Sequence, residues 1–315
     1  MKNKLKRILA LLLVAIMALS FVACDTTDIK NIEGDTSGDI KGIVSNEKNE
    51  TIDENNQGAE NDKNAKNETP TIEEKVLLEY DGLVVTAKEI VNDTIWGAGI
   101  KVHIENNSDK DYSVGLEQAI VNNCMITDLF SSTIAAGKKA NDTIYLSSFD
   151  LNASGISNIG QVELYFYVYD SSTYERIYET DCVTIKTSYY DVMDTTVEDA
   201  GYTLYEGNGI KIVGKYVDEY DLFGKAIVLY IVNNRSDNVT ISCDDMSING
   251  YMVTPFFSST VYSGKYAIDE ITISNTDLEE NDITGIENFA LKFRMYDSDT
   301  YEDIVTTDEL SFTVK

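Results

Sequence analysis

In "VELYFYV" (162–168), Val162, Leu164, Phe166 and Val168 fall on one side of an extended chain and Glu163, Tyr165 and Tyr167 on the other. Side chains of a strand alternate between faces, so this pattern predicts a strand lying on a buried core. The pattern returns in "FALKFRM" (289–295), with Phe289, Leu291, Phe293 and Met295 on the apolar side and Lys292 and Arg294 on the polar side. Other runs predict further strands: "GLVVTAKEIV" (82–91), "GIKVHIEN" (99–106), two within "YSVGLEQAIVNNCMI" (112–126), and "DTIYLSS" (142–148). The residues between them, such as "NNS" and Gly-Lys, carry turn chemistry. About seven short strands per roughly 110 residues predict an all-β chain of immunoglobulin-like β-sandwiches.

The two alternating strands belong to a longer repeat. Leu77–Ser188 lies on Leu204–Lys315 without a gap, and about a third of the positions are identical. "MITDLFSST" (125–133) meets "MVTPFFSST" (252–260), and "YDSSTYERI" (169–177) meets "YDSDTYEDI" (296–304). A period this long is a duplicated domain rather than a solenoid unit.

Composition agrees with strands, with 20 Tyr and 10 Phe against one Trp, one His and two Pro. The formal net charge of −29 repels phosphates, which argues against nucleic acid as a partner.

The stretch 1–23 follows a different logic. Lys2, Lys4, Lys6 and Arg7 precede an apolar run, Ile8 to Leu19, too short for a comfortable membrane span. The run closes on "FVAC", where it resembles a bacterial lipoprotein signal, with Phe21 standing where Leu is usual. The resemblance implies a lipid on Cys24, and the two acyl chains of a diacylglyceryl group suffice for stable anchoring. Residues 24–75 are rich in Asn, Glu, Asp and Lys and poor in large apolar residues, which predicts a disordered tether with an r.m.s. span of roughly 40 Å. The expected order is therefore signal 1–23, tether 24–75, repeat 76–188, linker 189–203 and repeat 204–315.

The motifs "NNSD" (106–109), "FSST" followed by "GKKANDTI" (130–144), and "YDSSTYE" (169–175), with their second copies, resemble those of uncharacterised surface lipoproteins with tandem immunoglobulin-like domains from clostridial-type anaerobic Gram-positive bacteria. The resemblance covers Leu77 to Lys315. It implies the fold and a location on the outer face of the cytoplasmic membrane, and it implies no reaction.

Candidate chemistry is sparse. His103 is the single histidine, and Tyr230 stands in its place in the second copy; a nucleophilic site or zinc centre needs more than that. Cys124, Cys182 and Cys243 are not repeated between the copies, though Cys124 and Cys182 share a domain and a pairing between them stays open. Lys88 and Lys215 with Asp181 and Asp308 have the residue types of an isopeptide cross-link, but Lys215 has the phase of Lys211, opposite the apolar residues, so both lysines are expected in solvent. "FSST" is expected to be a buried turn. "YDSSTYE" reads as a hairpin tip started by Asp170 or Asp297. Asp297, Asp299, Glu302 and Asp303 form a weak calcium candidate in the second copy, since calcium takes six to eight oxygens. Tyr165, Tyr167, Tyr169, Tyr174 and Tyr178 form a candidate binding face, tyrosine combining apolar area with a polar tip.

No cofactor is expected. The leading function is a non-catalytic one, binding, adhesion or spacing, by a lipid-anchored protein with an unidentified protein or cell-wall partner. An accessory subunit of an envelope transporter or secretion machine is the alternative. A carboxylate-dependent hydrolase ranks below both.

Overall fold

The structure is a computed structural model that describes residues 32–34 and 69–315, apart from 95, 129, 194, 220 and 222. The predicted signal, Cys24 and most of the predicted tether lie outside the described residues. The described chain is nearly all strand, in antiparallel sheets, and divides into two compact units. One holds residues 69–198. The other holds Asp199–Lys315 together with a short N-terminal strand, β1 (Ile32–Gly34).

The unit of residues 69–198 contains β2 (Lys75–Tyr80), β3 (Leu83–Asp93), β4 (Gly97–Asn106), β5 (Tyr112–Val121), β6 (Cys124–Ile126), β7 (Ser131–Ile134), β8 (Lys139–Tyr145), β9 (Gln161–Asp170), β10 (Arg176–Glu179) and β11 (Val183–Lys186). One sheet runs β2-β3-β4-β8. In the other, β9 pairs with β5, β10 and β11 extend it on the β9 side, and β6 and β7 extend it on the β5 side. The inner faces form the core: Leu83, Val85, Ile100, Val102 and Ile104 from the first sheet, and Val162, Leu164, Phe166 and Val168 from the second. The alternation read in β9 holds for these four apolar residues. Glu163, expected outside, is also buried, and it accepts a hydrogen bond from Gln161 Nε2 at 2.6 Å.

Two-residue turns shape the hairpins. Asp81-Gly82 and Asn122-Asn123 both have two consecutive positive φ angles. That geometry matches strand twist and favours Asn, Asp and Gly.

The second unit repeats this plan with β12 (Tyr202–Gly207), β13 (Ile210–Asp218), β14 (Gly224–Asn233), β15 (Val239–Ile248), β16 (Tyr251–Met252), β17 (Pro255–Phe256), β18 (Ser258–Val261), β19 (Tyr266–Ser274), β20 (Asn288–Asp297), β21 (Asp303–Thr306) and β22 (Leu310–Val314). Even its irregularities repeat. The register of β3 on β4 shifts between Ala87 and Glu89, and that of β13 on β14 shifts at the equivalent place, between Gly214 and Tyr216.

Four expectations need correction. First, "FSST" is a strand: β7 and β18 pair with β5 and β15, with Ser132 and Ser259 buried and their neighbours exposed. Cross-strand hydroxyl pairs, Thr133 with Ser113 at 2.7 Å and Thr260 with Thr240 at 2.8 Å, take the place of the expected backbone caps. Second, two short helices were not expected, α1 (Ser148–Ala153) and α2 (Asn275–Glu280). Each is capped by a serine, Ser147 or Ser274, whose Oγ accepts from the amide of Asp150 or Asp277 at 3.1 Å. Third, the first strand of each unit is preceded by another, β2 or β12, folded back on it.

The fourth correction concerns the tether. Ile32–Gly34 is not free chain but a strand, antiparallel to β22, with Ile32 opposite Val314, Glu33 opposite Thr313 and Gly34 opposite Phe312. Ile32 is 4% exposed. A composition reading averages over a polar stretch. It misses one isoleucine that finds an apolar seat and a strand edge with unpaired amides and carbonyls.

Candidate binding face

Tyr167 and Tyr169 lie on the outer side of β9, with ring centroids 5.1 Å apart at an interplanar angle of 70°. Arg176, the first residue of β10, stands opposite Tyr169 and places its guanidinium 4.9 Å from the centre of the Tyr167 ring. Arg176 is held by Glu117 at 2.9 Å and Glu179 at 2.7 Å. Beneath the ring is Gly115, opposite Tyr167 on β5; a Cβ there would lie 2.4 Å from the tyrosine hydroxyl. Burial raises the Tyr167 phenol above its ordinary value, and the Tyr169 phenol and the carboxylate of Asp128 push the same way. Asp128 itself is pushed up to about 6 by burial, against the hydrogen bond it accepts from the amide of Phe130 at 3.0 Å.

The five expected tyrosines do not form one patch. Tyr165 is half-buried on β9, and Tyr174, 82% exposed, sits at the hairpin tip with a positive φ. Tyr178 leaves the group, because a shift in register between Arg176 and Tyr178 carries it to a stack with Tyr80 at 4.5 Å. Tyr80 meets Tyr112 edge-on at 6.0 Å, and the Tyr112 hydroxyl donates to Asp81 at 2.7 Å. Burial, with Asp81 alongside, pushes the Tyr112 phenol up to about 12.

The second unit has different chemistry at the same positions. Arg294 replaces Tyr167 and Asp303 replaces Arg176, and the two form an ion pair at 2.8 Å. Tyr296 stacks on Tyr301 at 6.2 Å across the hairpin mouth.

The hairpin tips are turns. Asp170 accepts at Oδ1 from the amides of Ser172 and Thr173, and Asp297 accepts from those of Asp299 and Thr300. Both carboxyls are held below the usual range, Asp170 chiefly by the Ser172 hydroxyl and Asp297 chiefly by the Thr300 amide. Among the calcium candidates, Asp297 therefore faces its own turn and Asp303 faces Arg294, while Asp299 and Glu302 are exposed. Among the described residues, no group of three or more His, Cys, Asp or Glu is placed to hold a metal ion.

His103 is engaged at both ring nitrogens, with Asn141 at 2.7 Å and Glu105 at 3.1 Å. Lys88 pairs with Glu74 at 2.7 Å, and Asp181 and Asp308 are exposed, so no lysine is placed in the core for an isopeptide bond at Lys88. Cys124, Cys182 and Cys243 form no disulfide; the Cys124 thiol is buried and donates to the Met125 carbonyl at 3.4 Å, and Cys182 is exposed. The Cys243 thiol is pushed up to about 12 by burial.

Sequence reading missed two deeply buried polar side chains. Asn106 and its repeat Asn233 each bridge two main-chain carbonyls, Lys110 with Ile134 and Asp237 with Val261. The repeated "NN" was the available signal.

No family model matches the sequence, and no curated protein matches it. Among solved structures, the chain has likeness to the YadV chaperone, at 10% identity and a TM-score of 0.21, over 69% of this chain and 92% of that one. A Porphyromonas gingivalis W83 protein of unknown function shows 9% identity and a TM-score of 0.18, over 69% and 89%. Red sea bream transglutaminase shows 10% and 0.20, over 75% of this chain and 31% of the enzyme. At such scores none of them bears on what this chain does.

Proposed function

We propose that this chain is a lipid-anchored extracytoplasmic protein, akin to clostridial-type surface lipoproteins, whose two immunoglobulin-like modules work by binding and not by catalysis. The observation that carries the binding reading is the cluster of Tyr167, Tyr169 and Arg176 on the outer face of β9 and β10. Tyrosine and arginine are the side chains most able to anchor a partner, and here each is already oriented before any partner arrives. The signal-like stretch 1–23 and the placement of Cys24 support the location. The partner is a protein or a cell-wall component, and the acidic surface favours one with basic groups.

Two experiments test this. Replacing Cys24 with alanine releases the protein into the medium if the anchor is a lipid there; retention on cells refutes it. A pull-down from envelope extract compares the wild-type chain with a Tyr167→Ser, Tyr169→Ser double variant. A component retained by the first and lost by the second supports the face as the binding site. Equal retention, or none by either, removes the face from the function and favours the spacer role.

A further inference from the structure

We propose that the unit of residues 69–198 binds one neutral sugar ring in a cavity that shares no residue with the tyrosine face. The cavity measures about 140 Å³ and is lined by residues 69–70, 90–92, 98, 157–159 and 189. The first observation is a difference between the two copies. Asn92, near the end of β3, stands opposite Ala98 on β4. In the second unit Glu219 and Lys225 take these two places, and they form an ion pair with side chains only 9% and 13% exposed. Gly285 likewise takes the place of Asn158. The second unit thus closes this end with charged side chains of its own. In the first unit the side chain stops at the Cβ of Ala98, and a neutral amide replaces the carboxylate.

The second observation is the chemistry of the lining. None of the lining residues is of a charged type, so an ion entering there gives up its hydration and meets no counter-charge. Pro70, Ile90 and Ile159 supply apolar wall, and half-buried Tyr189 adds a ring with a polar tip. Thr69, Asn92, Ser157 and Asn158 bring hydroxyls and amides, groups that both donate and accept. Among the described residues, these four side chains take no hydrogen-bond partner. The matching ligand is uncharged, apolar on the face of a ring and rich in hydroxyls around its edge, which describes a sugar. Pockets for drug-sized ligands begin near ~300 Å³, so this one takes a single ring.

The third observation is that the walls are fixed. Asn122, 4% exposed, donates from Nδ2 to the Asn158 carbonyl at 2.7 Å and accepts at Oδ1 from the amides of Gly160 and Gln161 at 3.0 Å. Thr187 Oγ1 donates to the Ile159 carbonyl at 2.7 Å and accepts from the Tyr189 amide at 2.9 Å, which ties the tyrosine to the same loop. The Ser188 amide donates to the Thr71 carbonyl at 2.9 Å and its Oγ accepts from the Thr71 amide at 3.1 Å, which holds the segment carrying Thr69 and Pro70. A cavity whose walls are already in place costs a ligand little ordering.

The test titrates the full mature chain with glucose, galactose, mannose and N-acetylglucosamine in turn and follows the side-chain amide signals of Asn92 and Asn158 by NMR. At least one sugar is expected to shift both signals saturably, with a Kd on the order of 1 mM. Glucosamine and glucuronate, which carry opposite charges, are expected to shift neither. An Asn92→Glu, Ala98→Lys double variant installs the pair of the second unit and should keep the thermal midpoint while weakening the sugar at least ~10-fold, read at Asn158. Asn158→Gly, read at Asn92, should weaken it as well. The Tyr167→Ser, Tyr169→Ser variant should bind sugar as wild type does, so this site and the tyrosine face stand or fall separately. No saturable shift with any of the four sugars overturns the proposal. So does equal binding of either charged sugar, binding indifferent to both cavity variants, or binding lost with the two face tyrosines.

Discussion

Gly115 and Tyr167 face each other across β5 and β9, and the tyrosine ring occupies the space that any larger residue at 115 would need. The second unit has Ser242 at the position of Gly115, and there Arg294 has replaced the tyrosine. Gly115→Ala forces the ring away from Arg176. We expect a loss of about 1–2 kcal/mol in urea unfolding, the scale of an overpacked contact, and failure of the variant in the pull-down.

Asn106 is buried and its amide nitrogen satisfies two main-chain carbonyls at 2.7 and 2.9 Å, while Oδ1 accepts from the Ser108 amide at 3.1 Å. Asn106→Ala removes the buried bond to the Ile134 carbonyl, while the Lys110 carbonyl keeps the Ser108 hydroxyl at 3.1 Å, and it is expected to cost about 2 kcal/mol. Asn233→Ala should cost the second unit a similar amount. Asn92→Ala, at an exposed position, should leave the thermal midpoint unchanged.

Asp128 gives a pH dependence of definite sign. Its carboxyl is raised to about 6 by burial, against about 3.9 in an unfolded chain. Between those values the folded state holds a proton that the unfolded state has released, so stability falls as pH rises from about 4 to 6. Asp128→Asn keeps the acceptor for Phe130 and removes the charge. Its unfolding curve should match wild type below about pH 4 and be more stable by about 2 kcal/mol at pH 7. Asp269, also raised by burial, leaves a residual slope of the same sign in the variant.

Gly214 gives way to Ile32, and Leu204 methyls close the same seat at 3.3 Å. Gly214→Ala is expected to dislodge β1 without unfolding β13. Trypsin cleavage after Lys30, just ahead of Ile32, should become several-fold faster, as it should in Ile32→Ala. Unchanged cleavage would mean that β1 adds no protection.

The all-β class and the duplication were legible because both rest on patterns repeated along the chain. Val162, Leu164, Phe166 and Val168 announce their face, and β20 announces it again. What escaped depends on single residues. The serine caps of α1 and α2 lie in runs of polar residues too short to show a helical period. The register shift that sends Tyr178 to Tyr80 has no sequence signature, so of five tyrosines read as one face only Tyr167 and Tyr169 stay together. β1 escaped because the edge that orders it is made at the opposite end of the chain, at Phe312 to Val314.

That distant pairing has a mechanical meaning. β1 and β22 run antiparallel, with Ile32 beside Val314 near the carboxyl end of the chain. A pull on the first residues against the last peels these hydrogen bonds one after another instead of shearing them together. The junction therefore opens under low load and closes again when the load is released. It lengthens the chain before any tension reaches the two folded units.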